Sequence, residues 1–193
     1  MERNLPVFET ARLILRGVTE ADAHAYERHF VDYAVIGNLA AFVPWPYPAG
    51  GVLEFIRTQV LPNQAIDRWV WGIFLKTDPG ELVGVVELLR QGRPKNRGFW
   101  LSRELWGRGI MTEAVVPVMD YAFDSLGFEK LTFTNAVGNV RSRRVKEKTG
   151  ARLVGVEPAR YVNPNFTERE VWEITKEEWH GFRAGGKPGP VLS

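Results

Sequence analysis

The segment 99–123 constrains the fold of this chain more than any other stretch of its sequence. It reads as a short apolar strand, a turn that contains Gly107 and Gly109, and a helix with apolar residues at helical spacing. The first amides of a helix lack partners within the helix and lie at the positive end of its dipole, and glycines let a ligand approach the backbone. The segment therefore predicts a phosphate-binding turn, although an ordinary tight turn accounts equally well for the two glycines alone.

The rest of the chain predicts an α/β fold around this segment. Residues 69–75 are apolar on both alternating faces, which indicates a strand inside a sheet that helices cover. The turn signal Asp78-Pro79-Gly80 predicts an antiparallel return over 81–89. The other expected strands span 13–16, 99–101, 130–134, 152–156 and 166–175, and the other expected helices span 20–31, 52–61 and 139–148. Their order predicts a mixed, mostly antiparallel sheet with helices on both faces.

Length and composition limit the function. The 193 residues suit one domain, which we expect over residues 1–180, followed by a flexible Gly- and Pro-rich tail over 181–193. The absence of cysteine excludes disulfides, thiolate metal sites and cysteine nucleophiles. The chain has no long apolar run and no signal-like start, so we expect a cytoplasmic protein that does not enter a membrane. The net charge of +2 does not by itself argue for nucleic acid as a partner.

Two sequence blocks resemble a known family. The run WGRGIMTEA at 106–114, followed by DYAF at 120–123, resembles the acetyl-CoA pyrophosphate motif of the GCN5-related N-acetyltransferases (GNAT). It is closest to the RimJ and RimL branch, which acetylates ribosomal proteins. The block NVRSRRVKEKTG at 139–150 is similar to a second motif of that branch. The resemblance extends more weakly over nearly the whole chain and implies the acyl-CoA N-acyltransferase fold, with acetyl-CoA as co-substrate and no metal.

The resemblance also implies a path for the cofactor. Backbone groups of Trp100, Leu101 and Ser102 are expected to pair with the pantetheine amides. The other expected cofactor contacts are Trp106, Gly107, Arg108, Gly109, Ile110, Met111, Thr112, Asn139 and Arg143. Met111 stands where the family has a small residue, so we expect it either to crowd the pyrophosphate or to turn into the core.

The helix that carries Arg143 is strongly basic, and three interpretations stay open. Its cations attract the CoA phosphates, form a solvated face, or belong to an RNA-facing patch together with the basic loop over 90–97. Lys146 and Thr149 replace leucines that are typical of the family, which predicts weaker packing of this helix.

Ser142 and Glu87 are the predicted catalytic residues. In the resembled family the serine protonates the departing CoA thiolate, and the asparagine three residues earlier, here Asn139, lies near the pantetheine on the same helix face. Asn139 is equally suited to be an N-cap, with Ser142 filling the first turn. Glu87 is expected on one strand face with Val83 and Val85, either as a base or water relay, or paired with an arginine of the following loop.

The expected acceptor is a primary amine, and a protein N-terminus is preferred. Deprotonation at pH 7 costs about 1.4 kcal/mol for an α-amino group with a pKa of about 8, against about 5 kcal/mol for a lysine with a pKa of about 10.4. A strong base is therefore not required, although many relatives place a glutamate where this chain has residues 96–99. The alternatives are a small amine such as a polyamine or an aminoglycoside, or a non-catalytic module that binds CoA or RNA.

Three further expectations concern the surroundings of the site. By the resemblance, the loop over 43–48 and the segment 160–163 form the walls of the acceptor pocket, although the loop's aromatic residues suit a satellite core cluster or a homodimer contact equally well. Since the sequence contains no cysteine and no recognisable activated serine, direct transfer without an acyl-enzyme is expected. His24, His29 and His180 have no metal-ligand spacing and are expected at the surface.

Overall fold

We describe residues 5–91 and 95–185 from a computed structural model. The strands are β1 (Phe8–Glu9), β2 (Leu13–Gly17), β3 (Arg68–Leu75), β4 (Asp78–Leu89), β5 (Arg97–Leu101), β6 (Lys130–Ala136), β7 (Arg152–Pro158) and β8 (Glu168–Thr175). The helices are α1 (Ala23–Phe30), α2 (Tyr33–Ile36), α3 (Gly51–Phe55), α4 (Ile110–Asp124), α5 (Val140–Glu147) and α6 (Lys176–Arg183). Within these residues, no helix is long and apolar enough to cross a membrane.

Strands β1 to β5 form one antiparallel sheet in chain order. Helices α1, α2 and α3 pack on one face of this sheet, where Tyr26, Phe30 and Val52 are buried. Helix α4 packs on the other face through Val115, Val118 and other buried residues. Strand β3 is therefore buried on both sides, as its sequence predicts. The α/β architecture with helices on both faces is confirmed.

The turn between β3 and β4 differs from the prediction. Strand β4 begins at Asp78, which pairs with Leu75, so the chain reverses at residues 76–77 and not at 78–80. Pro79 lies in an irregular stretch of β4 between two ladder pairs. Because proline has no N–H to donate, it suits a break in the ladder, and a turn signal can therefore stand inside a strand.

The remaining strands form a second antiparallel sheet in the order β6-β8-β7. The two sheets are joined at the start of β5 and β6, where the Asn96 N–H donates to the Thr132 carbonyl at 2.8 Å and the Thr132 N–H donates to the Asn96 side-chain oxygen at 3.0 Å. Beyond this junction, no ladder between β5 and β6 is found in the described ranges. A gap between the two strands follows, closed at Asn96 and open toward the starts of α4 and α5.

Helix α6 extends past the predicted domain boundary at residue 180. Thr175 caps its start in a reciprocal capping box with Glu178. Near its end, the Phe182 ring stacks on the buried Trp179 at 5.7 Å between centroids, which holds the chain in helix through Arg183. The sequence interpretation missed this helix, and residues 186–193 of the expected tail lie outside the described residues.

Candidate active site

The glycine turn before α4 has the geometry that an anion site requires. Gly107 and Gly109 adopt φ of +77° and +74°, a left-handed conformation that favours glycine, and Gly109 is the N-cap residue of the 15-residue helix α4. A Cβ at Gly107 would meet no atom within 4 Å, so the space over the turn is open. The unpaired amides and the positive end of the helix dipole face that space.

Arg12 fixes this turn to the first sheet. Its Nη1 donates to the Arg108 carbonyl at 3.0 Å, and its Nε donates to the Glu113 carboxylate at 2.7 Å. The Thr10 hydroxyl donates to the same carboxylate at 2.5 Å. Burial raises the pKa of Glu113, but these hydrogen bonds outweigh it and hold the pKa below its ordinary value.

Met111 turns into the core. It is 6% exposed and packs in the same cluster as Ile110 and Ala114. Of the two orientations considered for this residue, the inward one is therefore adopted, and its side chain does not occupy the space over the turn.

Successive residues of β5 direct their backbone N–H and C=O groups alternately toward β4 and toward the gap. The Ser102 N–H donates to the Val83 carbonyl at 2.8 Å, and the alternation of an antiparallel ladder directs the backbone groups of Trp100 to β4 as well. The backbone groups of Phe99 and Leu101 point the other way, toward the gap. The Leu101 carbonyl accepts from the Trp106 indole at 2.9 Å, which leaves its N–H toward the gap. The backbone groups of Trp100 and Ser102, which were expected to pair with pantetheine, are thus directed to β4, and those of Phe99 and Leu101 face the gap.

Helix α5 lies across the gap and presents Ser142. Asn139 is its N-cap, and its side-chain oxygen accepts from the Ser142 N–H at 3.2 Å. The Ser142 Oγ accepts from the Lys146 Nζ at 2.8 Å. Lys146 is 1% exposed, and the Thr149 hydroxyl, fully buried, donates to the Val145 carbonyl. Both polar residues that replace the family's leucines are therefore buried, and their side chains bond to groups four residues earlier.

Arg143 and Arg141 of α5 differ in whether their charge is already paired. Arg143 donates to Glu147 at 2.8 Å and to the buried Glu170 at 3.1 Å, so its charge is already paired. Arg141, which the sequence analysis did not single out, stacks on the Trp106 ring at 4.0 Å beside the glycine turn. Its side chain is exposed, and it is the better placed of the two to meet a phosphate.

Two basic residues of the loop over 90–97, Arg90 and Arg97, are directed inward. Arg97 is 2% exposed, and the Arg90 guanidinium lies 4.6 Å from the Phe128 ring while donating to the Leu126 carbonyl. Arg93 lies outside the described residues. With Arg90 and Arg97 directed inward, the RNA-facing interpretation loses its support.

Among the described residues, the arginine that pairs with Glu87 is Arg68 of β3 and not Arg90 or Arg97 of the following loop. The Arg68 Nη2 on β3 donates to the Glu87 carboxylate at 3.0 Å, because residue 68 lies on the neighbouring strand. A Cβ on Gly98 would lie 2.5 Å from the Glu87 Oε1, so the carboxylate lies directly over β5. Val83 is not on the Glu87 face as expected, since a register irregularity in β4 moves it to the α4 side.

His29 is not a surface residue as expected. Its side chain is 18% exposed, its Nε2 lies 2.7 Å from the Glu81 carboxylate, and its Nδ1 lies 3.1 Å from the Ser102 hydroxyl. The three residues line or flank a cavity of about 490 Å³ whose lining also includes Arg28, Asp32, Arg103 and Glu104. No sequence spacing indicated this contact, because 73 residues separate His29 from Ser102.

The two expected walls of the acceptor pocket belong to one connected region. Backbone hydrogen bonds connect the residues before the loop over 43–48 to the segment 160–163. The Ala41 N–H donates to the Arg160 carbonyl at 3.0 Å, and the Val162 N–H donates to the Leu39 carbonyl at 2.9 Å. These bonds connect the first sheet's helical face to the second sheet. Phe42, which directly precedes the loop, is 86% exposed.

A strand edge that faces a gap, a glycine turn at the gap's open end and a helix across the gap form the arrangement of an acyl-CoA N-acyltransferase fold. Residues 12–152 match the Acetyltransferase (GNAT) domain family, and the chain belongs to that family. Members of this family are acetyltransferases that use acetyl-CoA as the acyl donor.

Two Bacillus subtilis proteins and one solved structure illustrate the similarity. YdaF, provisionally named a ribosomal N-acetyltransferase, is 34% identical over 106 residues, 53% of this chain and 58% of that protein. YoaA, an uncharacterised N-acetyltransferase, is 27% identical over 180 residues, 89% of this chain and 97% of that protein. The ribosomal-protein-S5-alanine acetyltransferase of Vibrio fischeri has a TM-score of 0.73 over 91% of this chain and 99% of its own, with 18% identity, and shares the fold. The chain thus spans little more than half of YdaF.

Proposed function

We propose that this chain moves acetyl from acetyl-CoA directly to a primary amine, and that the acceptor is a protein N-terminal α-amino group. The observation that carries the proposal is the gap between β5 and β6, with the glycine turn and Ser142 beside it. The partial match to YdaF supports a ribosomal protein as the acceptor. In this proposal one domain, extended through α6, carries the activity in the cytoplasm.

The turn and the strand edge hold the donor in this proposal. The amides of residues 107–112 bind the pyrophosphate, with Arg141 beside them, and the backbone of Phe99 and Leu101 pairs with the pantetheine. The path brings the thioester between β5 and α5. Ser142 then lies where its hydroxyl can protonate the departing thiolate, and Asn139 holds the first turn of α5.

The acceptor amine reaches the thioester from the face of the sheet that carries Glu87. Its paired carboxylate orients a water toward the amine, and an α-amino group needs little more than this to lose its proton. The nitrogen forms the amide bond as the carbon–sulfur bond breaks, and the amine proton is balanced by the proton that the thiolate takes. A polycationic acceptor is not favoured, because the lining of the cavity beside His29 is not predominantly acidic. It contains Asp32 and Glu104 but also Arg28 and Arg103.

The first test is acetyl-CoA binding by calorimetry to the native chain, to Gly107→Glu and to Gly127→Glu. Both glycines have positive φ, +77° and +69°, and neither has an atom within 4 Å of an added Cβ. The backbone strain of the two variants is therefore matched. The carboxylate at 107 should weaken binding by about tenfold or more, a cost of roughly 1.4 kcal/mol, whereas the variant at 127 should bind as the native chain does.

The second test is release of free CoA thiol with a panel of N-terminal peptides, polyamines and aminoglycosides. Turnover with peptides alone supports the proposed acceptor. Turnover with a small amine alone would reassign the acceptor and leave the transferase intact. A native chain that does not bind acetyl-CoA would overturn the proposal.

A further inference from the structure

Two cations are buried at the closed end of the gap. Arg97 is the first residue of β5, next to the junction at Asn96, and is 2% exposed. Lys146 lies on α5, which runs back from the open end, and is 1% exposed. The Arg97 Cζ lies 3.8 Å from the centre of the Phe133 ring on β6 and 5.5 Å from that of Phe99 on β5, and the Lys146 Nζ also lies 5.5 Å from the Phe99 centre. The two charges thus share the space between the strands.

Arg97 lacks a counter-ion in the described part of the chain. Its Nη1 donates to the Met119 sulfur at 3.2 Å, and its buried Nε and Nη2 have no hydrogen-bond partner. Burial lowers the pKa of Arg97 to about 9. A buried ion with unused donors is unfavourable unless an anion is bound to it.

Within residues 5–91 and 95–185, Lys146 also forms no ion pair with a carboxylate. Its Nζ donates to the Ser142 hydroxyl at 2.8 Å and to the Ser142 carbonyl at 3.3 Å. Burial, together with the charges of Arg97 and Lys95, lowers its pKa well below the ordinary value. The nearby Glu170 is engaged elsewhere: it accepts from Arg143 at 3.1 Å, from Asn135 at 2.9 Å and from the Trp172 indole at 3.1 Å.

We propose that Arg97 and Lys146 form a carboxylate-binding subsite, so that the chain accepts dicarboxylic acyl-CoA donors such as succinyl-CoA as well as acetyl-CoA. The inference rests on the proposed function, because it takes Ser142 to lie beside the thioester. The lysine is then one hydrogen bond from the reacting group. An acyl chain that runs from the thioester toward the closed end passes the Phe99 and Phe133 rings with its methylenes and ends between the two cations.

The chemistry of transfer is unchanged by the longer acyl group. The acceptor nitrogen bonds to the carbonyl carbon, the carbon–sulfur bond breaks, and one proton passes from nitrogen to sulfur overall. The terminal carboxylate takes no part in the reaction. The guanidinium offers it the paired Nε and Nη2 donors that bind carboxylates most strongly.

The test compares succinyl-CoA with acetyl-CoA, by calorimetry and by thiol release, on the native chain and on Arg97→Met, Lys146→Met and Lys76→Met. Methionine keeps the length of the side chain and removes its charge. Lys76 is an exposed lysine of the β3–β4 turn that pairs with Glu9, and it serves as the control. The native chain should bind and turn over succinyl-CoA. Arg97→Met and Lys146→Met should each weaken binding of succinyl-CoA relative to acetyl-CoA by about tenfold or more, and Lys76→Met should not.

Two outcomes would overturn the inference alone. One is a native chain that binds acetyl-CoA and rejects succinyl-CoA, which leaves the proposed function standing. The other is a ratio of the two affinities that neither methionine variant changes. If one variant fails to fold, the native ratio and the other variant still decide. A chain that binds neither donor overturns the subsite and the proposed function together.

Discussion

Ser142 and Lys146 lie one turn apart on α5, and the lysine Nζ donates a hydrogen bond to the serine Oγ at 2.8 Å. Residues four apart on a helix are neighbours, so the contact is local. The hydrogen bond is important for Lys146, because this lysine is buried and its ammonium group has few other partners. The serine hydroxyl is thereby held toward the gap's closed side, where the proposed thioester lies.

Removal of this hydroxyl tests the proposed proton donor. Ser142→Ala should lower kcat by roughly 10²-fold or more, in the range of general acid catalysis, while the affinity for acetyl-CoA stays close to native. Thiol release and calorimetry measure the two quantities. Ser125→Ala, at an exposed serine after α4, is the matched control. An unchanged kcat in Ser142→Ala would remove the serine from the mechanism.

Replacement of the buried arginine should stabilise the protein without ligand. Arg97→Met removes a buried charge whose Nε and Nη2 have no partner, and we expect a gain of about 1–3 kcal/mol in the free energy of unfolding. Urea denaturation measures it. Arg12→Met should do the opposite, because Arg12 holds both Glu113 and the Arg108 carbonyl. A loss of stability in Arg97→Met would mean that the arginine contributes to folding.

Asp22 should make stability depend on acid pH. Burial raises its pKa, but hydrogen bonds from Arg16 and Thr19 outweigh burial and hold the pKa below the ordinary value. A carboxyl whose folded pKa is depressed contributes stability that is present above the unfolded pKa of about 3.9 and is lost as the pH falls through the folded pKa. Arg16 is 35% exposed, so loss of this partly buried pair in Asp22→Asn should cost about 1–3 kcal/mol at pH 7.

The matching measurement is urea denaturation of native and variant chains between pH 7 and pH 3. The difference between the native chain and Asp22→Asn should shrink as the pH falls below about 4, because the unfolded chain then binds a proton at Asp22 before the folded chain does. Asp78→Asn, at an exposed position in the β3–β4 hairpin, should change stability little at any pH. A difference that stays constant with pH would show that charge is not what Asp22 contributes.

Ser102 tests whether the transfer is direct. Its hydroxyl lies 3.1 Å from His29, which in turn contacts Glu81, an order of groups that activates serines in acyl-enzymes. The side chain is 3% exposed, and direct transfer needs no such nucleophile. Ser102→Ala should therefore retain turnover within about tenfold, since one neutral hydrogen bond is worth about 1 kcal/mol. Initial rates with both substrates varied should give intersecting lines, and parallel lines would favour a covalent intermediate.

Local features of the site could be predicted from the sequence. Positive φ at Gly107 and Gly109, the N-cap at Asn139 and the buried stripe of α4 each depend on residues within a few positions of one another. Turn chemistry, capping and helical periodicity act at that range, which is why sequence patterns report them. The α/β order of elements follows from the same patterns.

Contacts between distant segments were decided only by the tertiary structure. The sequence indicated neither the partner of Glu87, which came from β3, nor the contact of His29 with Ser102. The sequence left the role of the basic residues Lys146 and Arg97 open between phosphate attraction, a solvated face and an RNA-facing patch, and the fold buried both of them against aromatic rings. A charged residue does not signal its own burial, because burial depends on which strands and helices meet there. The sequence by itself thus determined the glycine turn, the N-cap of α5 and the fold class. The packing of the two sheets determined that Arg97 and Lys146 are buried in the gap.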